Sequence, residues 1–127
     1  MTPAELCQRY RITPRELQWW HNTGVIASTR TARGRDFDEA QSLTAAIVAE
    51  LRYKGVSLHR IRKLQIGTPQ GEYLVIAGPN TACWCSRDGL IPYVAACPGP
   101  CRVVSVEDLR RRLDDENTPR FARRKGN

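Results

Sequence analysis

The sequence predicts an α+β fold, mainly helical over its first half and closing with a small module of β-hairpin, helix, strand and helix. Three observations predict it. Capping residues followed by apolar positions at helical spacing recur four times between residues 2 and 64. A turn holding three arginines around one glycine, Arg30, Arg33, Gly34 and Arg35, interrupts that series. After Gly67-Thr-Pro-Gln-Gly the pattern changes to short runs rich in β-branched residues, such as Tyr73-Leu-Val-Ile-Ala.

The elements of the first half follow in order. Residues 3–10 read as a short helix, with Thr2 as cap, Pro3 at the first position, and Leu6 and Tyr10 on one face. Arg11 and Ile12 make a tight connection. Thr13 caps a second helix over 14–22, with Pro14 leading and Glu16 closing a capping box. Leu17 and Trp20 point inward, and Gly24 ends the helix in a left-handed conformation. Two helices joined by a tight turn are the helix-turn-helix arrangement, whose second helix enters a major groove. Val25-Ile26-Ala27 reads as a short strand, leading into a β-wing that closes on Phe37. Asp38 caps a third helix, with Gln41 as its box partner and Leu43, Ala46, Ile47 and Leu51 as an apolar stripe. Lys54-Gly55 ends it, and Ser57 caps a fourth helix through about Leu64.

In the second half, Tyr73–Ala77 and Thr81–Cys85 flank Gly78-Pro79-Asn80 as a hairpin. Ser86 caps a helix to about Ala96, in which Pro92 is a disturbance. Pro98-Gly99-Pro100 turns the chain into a strand from Cys101 to Val106, and Asp108–Leu113 is a short last helix. The organisation expected is therefore 1–66, 67–116, and a basic, disordered tail over 117–127.

Charge separates these parts. Residues 1–66 carry eleven Lys and Arg against six Asp and Glu, residues 67–116 five against seven, and residues 117–127 four against none. Basic character thus gathers where a polyanion would be met. A 41% hydrophobic content leaves room for a real but small core. No apolar run approaches the roughly 20 residues of a membrane span, and no apolar stretch follows the first charges as a secretory signal requires. A soluble, cytoplasmic protein with no membrane partner is expected.

The order Thr13-Pro-Arg-Glu-Leu-Gln-Trp-Trp, Gly24-Val-Ile, Arg30, Gly34, Arg35, Phe37 and Leu51-Arg-Tyr-Lys-Gly-Val-Ser-Leu-His-Arg-Ile resembles the DNA-binding domain of the MerR family. The resemblance covers residues 4–66. It implies a winged helix-turn-helix with a helical pair behind it, and a regulator of transcription whose partner is double-stranded DNA. Carried over, Thr13, Arg15, Gln18 and Trp19 on the recognition helix and Arg30, Arg33 and Arg35 on the wing are the DNA-binding residues. Three departures stand out. Gln18 occupies a place where the family usually has arginine, and the wing after Gly34 is one residue short. The long dimerisation helix is missing, because Gly67, Pro69 and Gly71 break the chain where it should begin; an interior proline costs about 3 kcal/mol and each glycine about 1. A partner protein or a second copy would then be met through residues 67–116. An antitoxin-like protein and a phage or plasmid architectural factor are the alternative readings.

Other chemistry is thin. His21 and His59 lie on separate helices, and no nucleophile elbow, P-loop or dinucleotide fingerprint is present, so no enzyme and no cofactor are expected. Consecutive helical positions point about 100° apart, so Trp20 is the core residue and Trp19 the exposed one. Of the five cysteines, Cys83 and Cys85 share a strand face and Cys97 and Cys101 bracket a turn. Four thiolates match the count of a zinc site, but the spacing is not a standard knuckle. Packing is the favoured reading, with no metal.

Overall fold

The computed structural model describes residues 1–10, 12–78 and 81–114, the side chains of residues 113 and 114 excepted. The connection at Arg11, the hairpin tip at Pro79-Asn80 and the expected tail at 117–127 lie outside the described residues. The described chain holds six helices and two small antiparallel sheets, the α+β class the sequence predicts.

Capping dictates the first half. Helices α1 (Pro3–Arg9), α2 (Pro14–Asn22) and α3 (Glu39–Tyr53) each begin with a full capping box, made by Thr2 with Glu5, Thr13 with Glu16, and Asp38 with Gln41. Each pair satisfies two amide groups that a helix start leaves free, and loss of such a cap costs about 1 kcal/mol. Ser57 caps α4 (Leu58–Leu64) alone. Nine of the fifteen residues of α3 are buried, and α1, α4 and the last helix, Val106–Asp114, pack against it.

Between α2 and α3 the wing is a hairpin of β1 (Thr29–Thr31) and β2 (Gly34–Asp36). The strand expected at Val25-Ile26-Ala27 is not one. Val25 N–H donates to the Trp20 carbonyl at 3.1 Å and Gly24 N–H to that of His21 at 3.2 Å, so this stretch closes α2 instead. Ile26 drops into the core, and pairing starts only at Thr29.

The second half is a three-stranded sheet in the order β4-β3-β5, with β3 (Tyr73–Ala77) between β4 (Thr81–Cys85) and β5 (Cys101–Ser105). Helix α5 (Arg87–Ala96) lies against β3 and β4, and α6 (Val106–Asp114) leaves β5 directly. Pro92 is held inside an otherwise continuous α5. Helix α6 starts earlier than expected, at Val106, where the Ser105 Oγ accepts from the Asp108 amide at 3.3 Å. Gly71 passes close against β4: a Cβ there would lie 3.1 Å from the Cys85 carbonyl oxygen and 3.2 Å from Trp84 Cβ.

One core joins the halves. Leu74, Ile76, Val104, Val106 and Leu109 belong to the same buried cluster as Leu6, Trp20, Phe37, Ile47 and Leu51. The Tyr10 hydroxyl, buried between α1 and α6, donates to the Leu109 carbonyl at 3.1 Å.

Candidate nucleic-acid interface

Helix α2 divides into a buried and an exposed side. Leu17 and Trp20 face the core, whereas Thr13, Arg15, Gln18, Asn22 and Trp19 are exposed; Trp19 keeps 60% of its surface accessible. This is the division expected for the tryptophan pair. The Thr13 Oγ1 accepts from the Glu16 amide at 3.1 Å, which leaves its hydroxyl proton outward. Gln18 Nε2 donates to Asn22 Oδ1 at 2.8 Å, one turn further on. Asn22 is absent from the residues singled out in the sequence, and its i, i+4 spacing from Gln18 is the signal that finds it.

The wing is fixed by its turn. The Thr31 hydroxyl donates to the Gly34 carbonyl at 2.9 Å and accepts from the Arg33 amide at 3.3 Å. Gly34 carries φ +114°, a left-handed value that disfavours any side chain there. Arg30 and Arg33 are thereby presented outward, both exposed. Neither they nor Arg15 meets a carboxylate among the described residues.

Arg35 is different. Its Nη1 lies 2.9 Å from Nδ1 and 2.6 Å from Nε2 of His21, and 3.5 Å from Ser28 Oγ. The lone pairs of the two ring nitrogens diverge, so a single nitrogen this close to both lies over the ring. Ser28 Oγ is 2.9 Å from His21 Nε2. His21 thus ties the end of α2 to the base of the wing. Desolvation, then the Arg35 and Arg30 charges, push its pKa below the usual imidazole value, so the ring is neutral at neutral pH. This network carries no sequence signal, because it joins residues 7 and 14 positions apart.

His59 is exposed on α4, apart from His21. Among the described residues no three of His, Cys, Asp and Glu are grouped to hold a metal ion. Sheet register separates Cys85 from Cys101. Cys83, Cys85 and Cys101 share one face, but Cys85 pairs with Tyr73 and Cys101 with Ala77, on opposite sides of β3. Their rows are about 14 Å apart along the strands and about 10 Å across them. No helix of the described residues is long and apolar enough to cross a membrane.

Comparison with curated proteins yields no match. The family model described as MerR HTH family regulatory protein matches residues 1–66. Those residues contain the capped helix pair, the arginine wing and the α3–α4 pair, and they make up more than half of the chain. The chain belongs to the MerR HTH family of DNA-binding transcription regulators.

Proposed function

We propose that the chain grips duplex DNA with α2 in the major groove and the β1–β2 wing on the flanking phosphates. The observation that carries this reading is the set of outward arginines, Arg15, Arg30 and Arg33, which meet no carboxylate among the described residues. Cations left free by their own protein are available to displace counterions from a phosphate backbone. Thr13 and Trp19 are positioning contacts: a hydroxyl and an indole N–H both donate to phosphate oxygens. Gln18, oriented by Asn22, is the base reader, and a side-chain amide suits the N6 and N7 edge of adenine. Arg35 completes the wing from its seat on His21. Residues 1–66 are then the DNA-binding unit, and residues 67–116 meet a partner protein or a second copy. The activity is binding rather than catalysis, and its place is the cytoplasm.

Fluorescence anisotropy on selected and random duplexes, over a salt series, tests this. Arg33→Ala weakens binding to all sequences alike, about eightfold at 0.1 M salt, and lowers the salt slope by roughly 1. Gln18→Ala does the reverse, losing discrimination while the slope stays. A specific loss on Arg33→Ala with unchanged nonspecific binding and slope would show that the wing reads bases. No preference for any selected duplex would overturn the regulator reading in favour of an architectural one.

A further inference from the structure

The face of the three-stranded sheet that turns away from the common core is thinly covered. Helix α5 lies across it without a single buried residue, and of the residues beneath it Val75 and Cys85 alone are buried strand positions among those described. Cys97 ends α5 as its C-cap and Cys101 opens β5. Both are free, half-buried thiols, separated by the exposed turn Pro98-Gly99-Pro100. They line one cavity of about 510 Å³, together with Arg60 of α4, Ile76 and Arg102. Cys97 Sγ donates to the Tyr93 carbonyl at 3.4 Å.

Three uses compete for these thiols. Packing serves Cys85, which is buried, but explains less for a pair left half-exposed beside a cavity. Among the described residues no three of His, Cys, Asp and Glu are grouped to hold a metal ion. Disulfide closure needs only two cysteines with mobile backbones. Cys83 and Cys85 are a poor choice for it, since alternate residues of a strand stand about 6.8 Å apart, at the limit for a disulfide. Both are also pinned by pairing to β3, whereas of Cys97 and Cys101 only Cys101 is. Cys97 lies outside any ladder, and the turn it opens can adjust.

We propose that Cys97 and Cys101 are a site of reversible oxidation, closing to an intramolecular disulfide across Pro98-Gly99-Pro100 by exchange with a glutathione-type disulfide. The Cys101 thiolate attacks one sulfur of the small disulfide, breaking its S–S bond and releasing one thiolate, which takes a proton from water. The Cys97 thiol then loses its proton to solvent and attacks the Cys101 sulfur, expelling the second small thiolate. Two protein thiols give up two electrons, and one disulfide becomes two thiols. Burial, and then the neighbouring Cys101, push the Cys97 thiol above its ordinary pKa, so the second step is the slow one and quickens with pH. The Arg60 guanidinium donates to the Gly78 carbonyl on the same cavity wall.

The test uses the full reduced chain with excess oxidised glutathione, followed by intact mass and peptide mapping. The expected product has lost two hydrogens, carries no glutathione, links Cys97 to Cys101 and returns to thiols with dithiothreitol. Closure accelerates about tenfold per pH unit below the Cys97 pKa. Cys97→Ser stops at a single glutathione adduct on Cys101, and Cys7→Ser changes nothing. Four results would overturn the proposal: linkage of Cys83 to Cys85, stable adducts on both Cys97 and Cys101, both thiols still alkylatable at equilibrium, or one tightly held zinc per chain shielding them.

Discussion

Three arginines of the first half and four of the second are equally visible in the sequence and behave oppositely in the fold. In the first half, Arg15, Arg30 and Arg33 are exposed and meet no carboxylate among the described residues. In the second, Arg87 reaches Glu72 at 4.0 Å, Arg110 reaches Glu39 at 2.9 Å, Arg111 reaches Asp108 at 2.8 Å and Arg112 reaches Glu50 at 3.8 Å. The difference teaches that a count of basic residues measures charge, whereas binding a polyanion depends on charge that the protein itself has not neutralised. Two of those pairs, Arg110 with Glu39 and Arg112 with Glu50, also link α6 to α3. They hold little energy, since exposed pairs are worth roughly 0–1 kcal/mol. What fastens the halves is apolar: Leu74, Ile76, Val104 and Leu109 inside the common core.

The largest effect expected from breaking this comparison is therefore in the core. Ile76→Ala removes a side chain that is 1% exposed and costs about 2–5 kcal/mol. Arg110→Ala, which removes an ion pair between the same two halves, costs about 1 kcal/mol or less. Urea unfolding followed by fluorescence and circular dichroism checks both, and one shared transition is expected. Two separated transitions, with Ile76→Ala moving only the later or the earlier one, would show that the halves are energetically independent.

Local signals were legible in the sequence and relations between distant elements were not. The capping boxes of α2 and α3, the C-terminal glycines, the Trp19/Trp20 division and the hairpin of β3 and β4 each rest on residues at most a few positions apart. A sequence states such relations directly. The boundary at residue 67 was read from a real change of pattern, yet Tyr10 bonds a carbonyl 99 residues away and Ile76 packs into the core of the first half. Nothing in the local period of either segment announces that. The interface shows the same limit. Gln18 and the wing arginines were named from the resemblance and their residue type, and Asn22 is found by its spacing from Gln18, while the His21–Arg35–Ser28 contacts depend on where α2 ends relative to β2. The strand expected at residues 25–27 failed for a related reason: β-branched residues there serve the helix end and the core rather than a ladder.

A smaller change sharpens the same comparison without removing any apolar atom. Tyr10→Phe deletes only the hydroxyl that donates to the Leu109 carbonyl at 3.1 Å, leaving a buried acceptor at the α1–α6 contact. The expected cost is about 1 kcal/mol, with up to about 3 if the carbonyl finds no other donor. DNA affinity should stay unchanged when measured well below the melting temperature, because Tyr10 lies on the core side of α1. A loss of affinity without a loss of stability would mean that α6 positions the recognition helix, and would join the two halves functionally as well as physically.

The smallest effect concerns Arg35, the interface arginine held by a neutral partner rather than by an acid or by nothing. Desolvation, then Arg35 and Arg30, lower the pKa of His21 in the folded chain, while the unfolded value stays near 6.5. Between the lowered value and 6.5 the unfolded state binds more protons, so stability rises with pH across that window. The contribution is fully present above about pH 6.5 and is lost as pH falls towards the folded-state pKa. Protonation also places a second cation against Arg35 and loosens the seat of the wing. Melting temperatures at pH 7.5 and 5.5 should therefore fall more for the wild type than for His21→Gln, which keeps a polar contact and cannot titrate. The carboxylates titrate alike in both chains, so the difference between the two slopes isolates the histidine. Equal slopes would mean that the ring does not feel Arg35 in solution, and a steeper fall in His21→Gln would reverse the sign of the argument. Bound DNA should shrink the effect, because a phosphate beside Arg35 offsets its charge and lets His21 hold its proton at little cost.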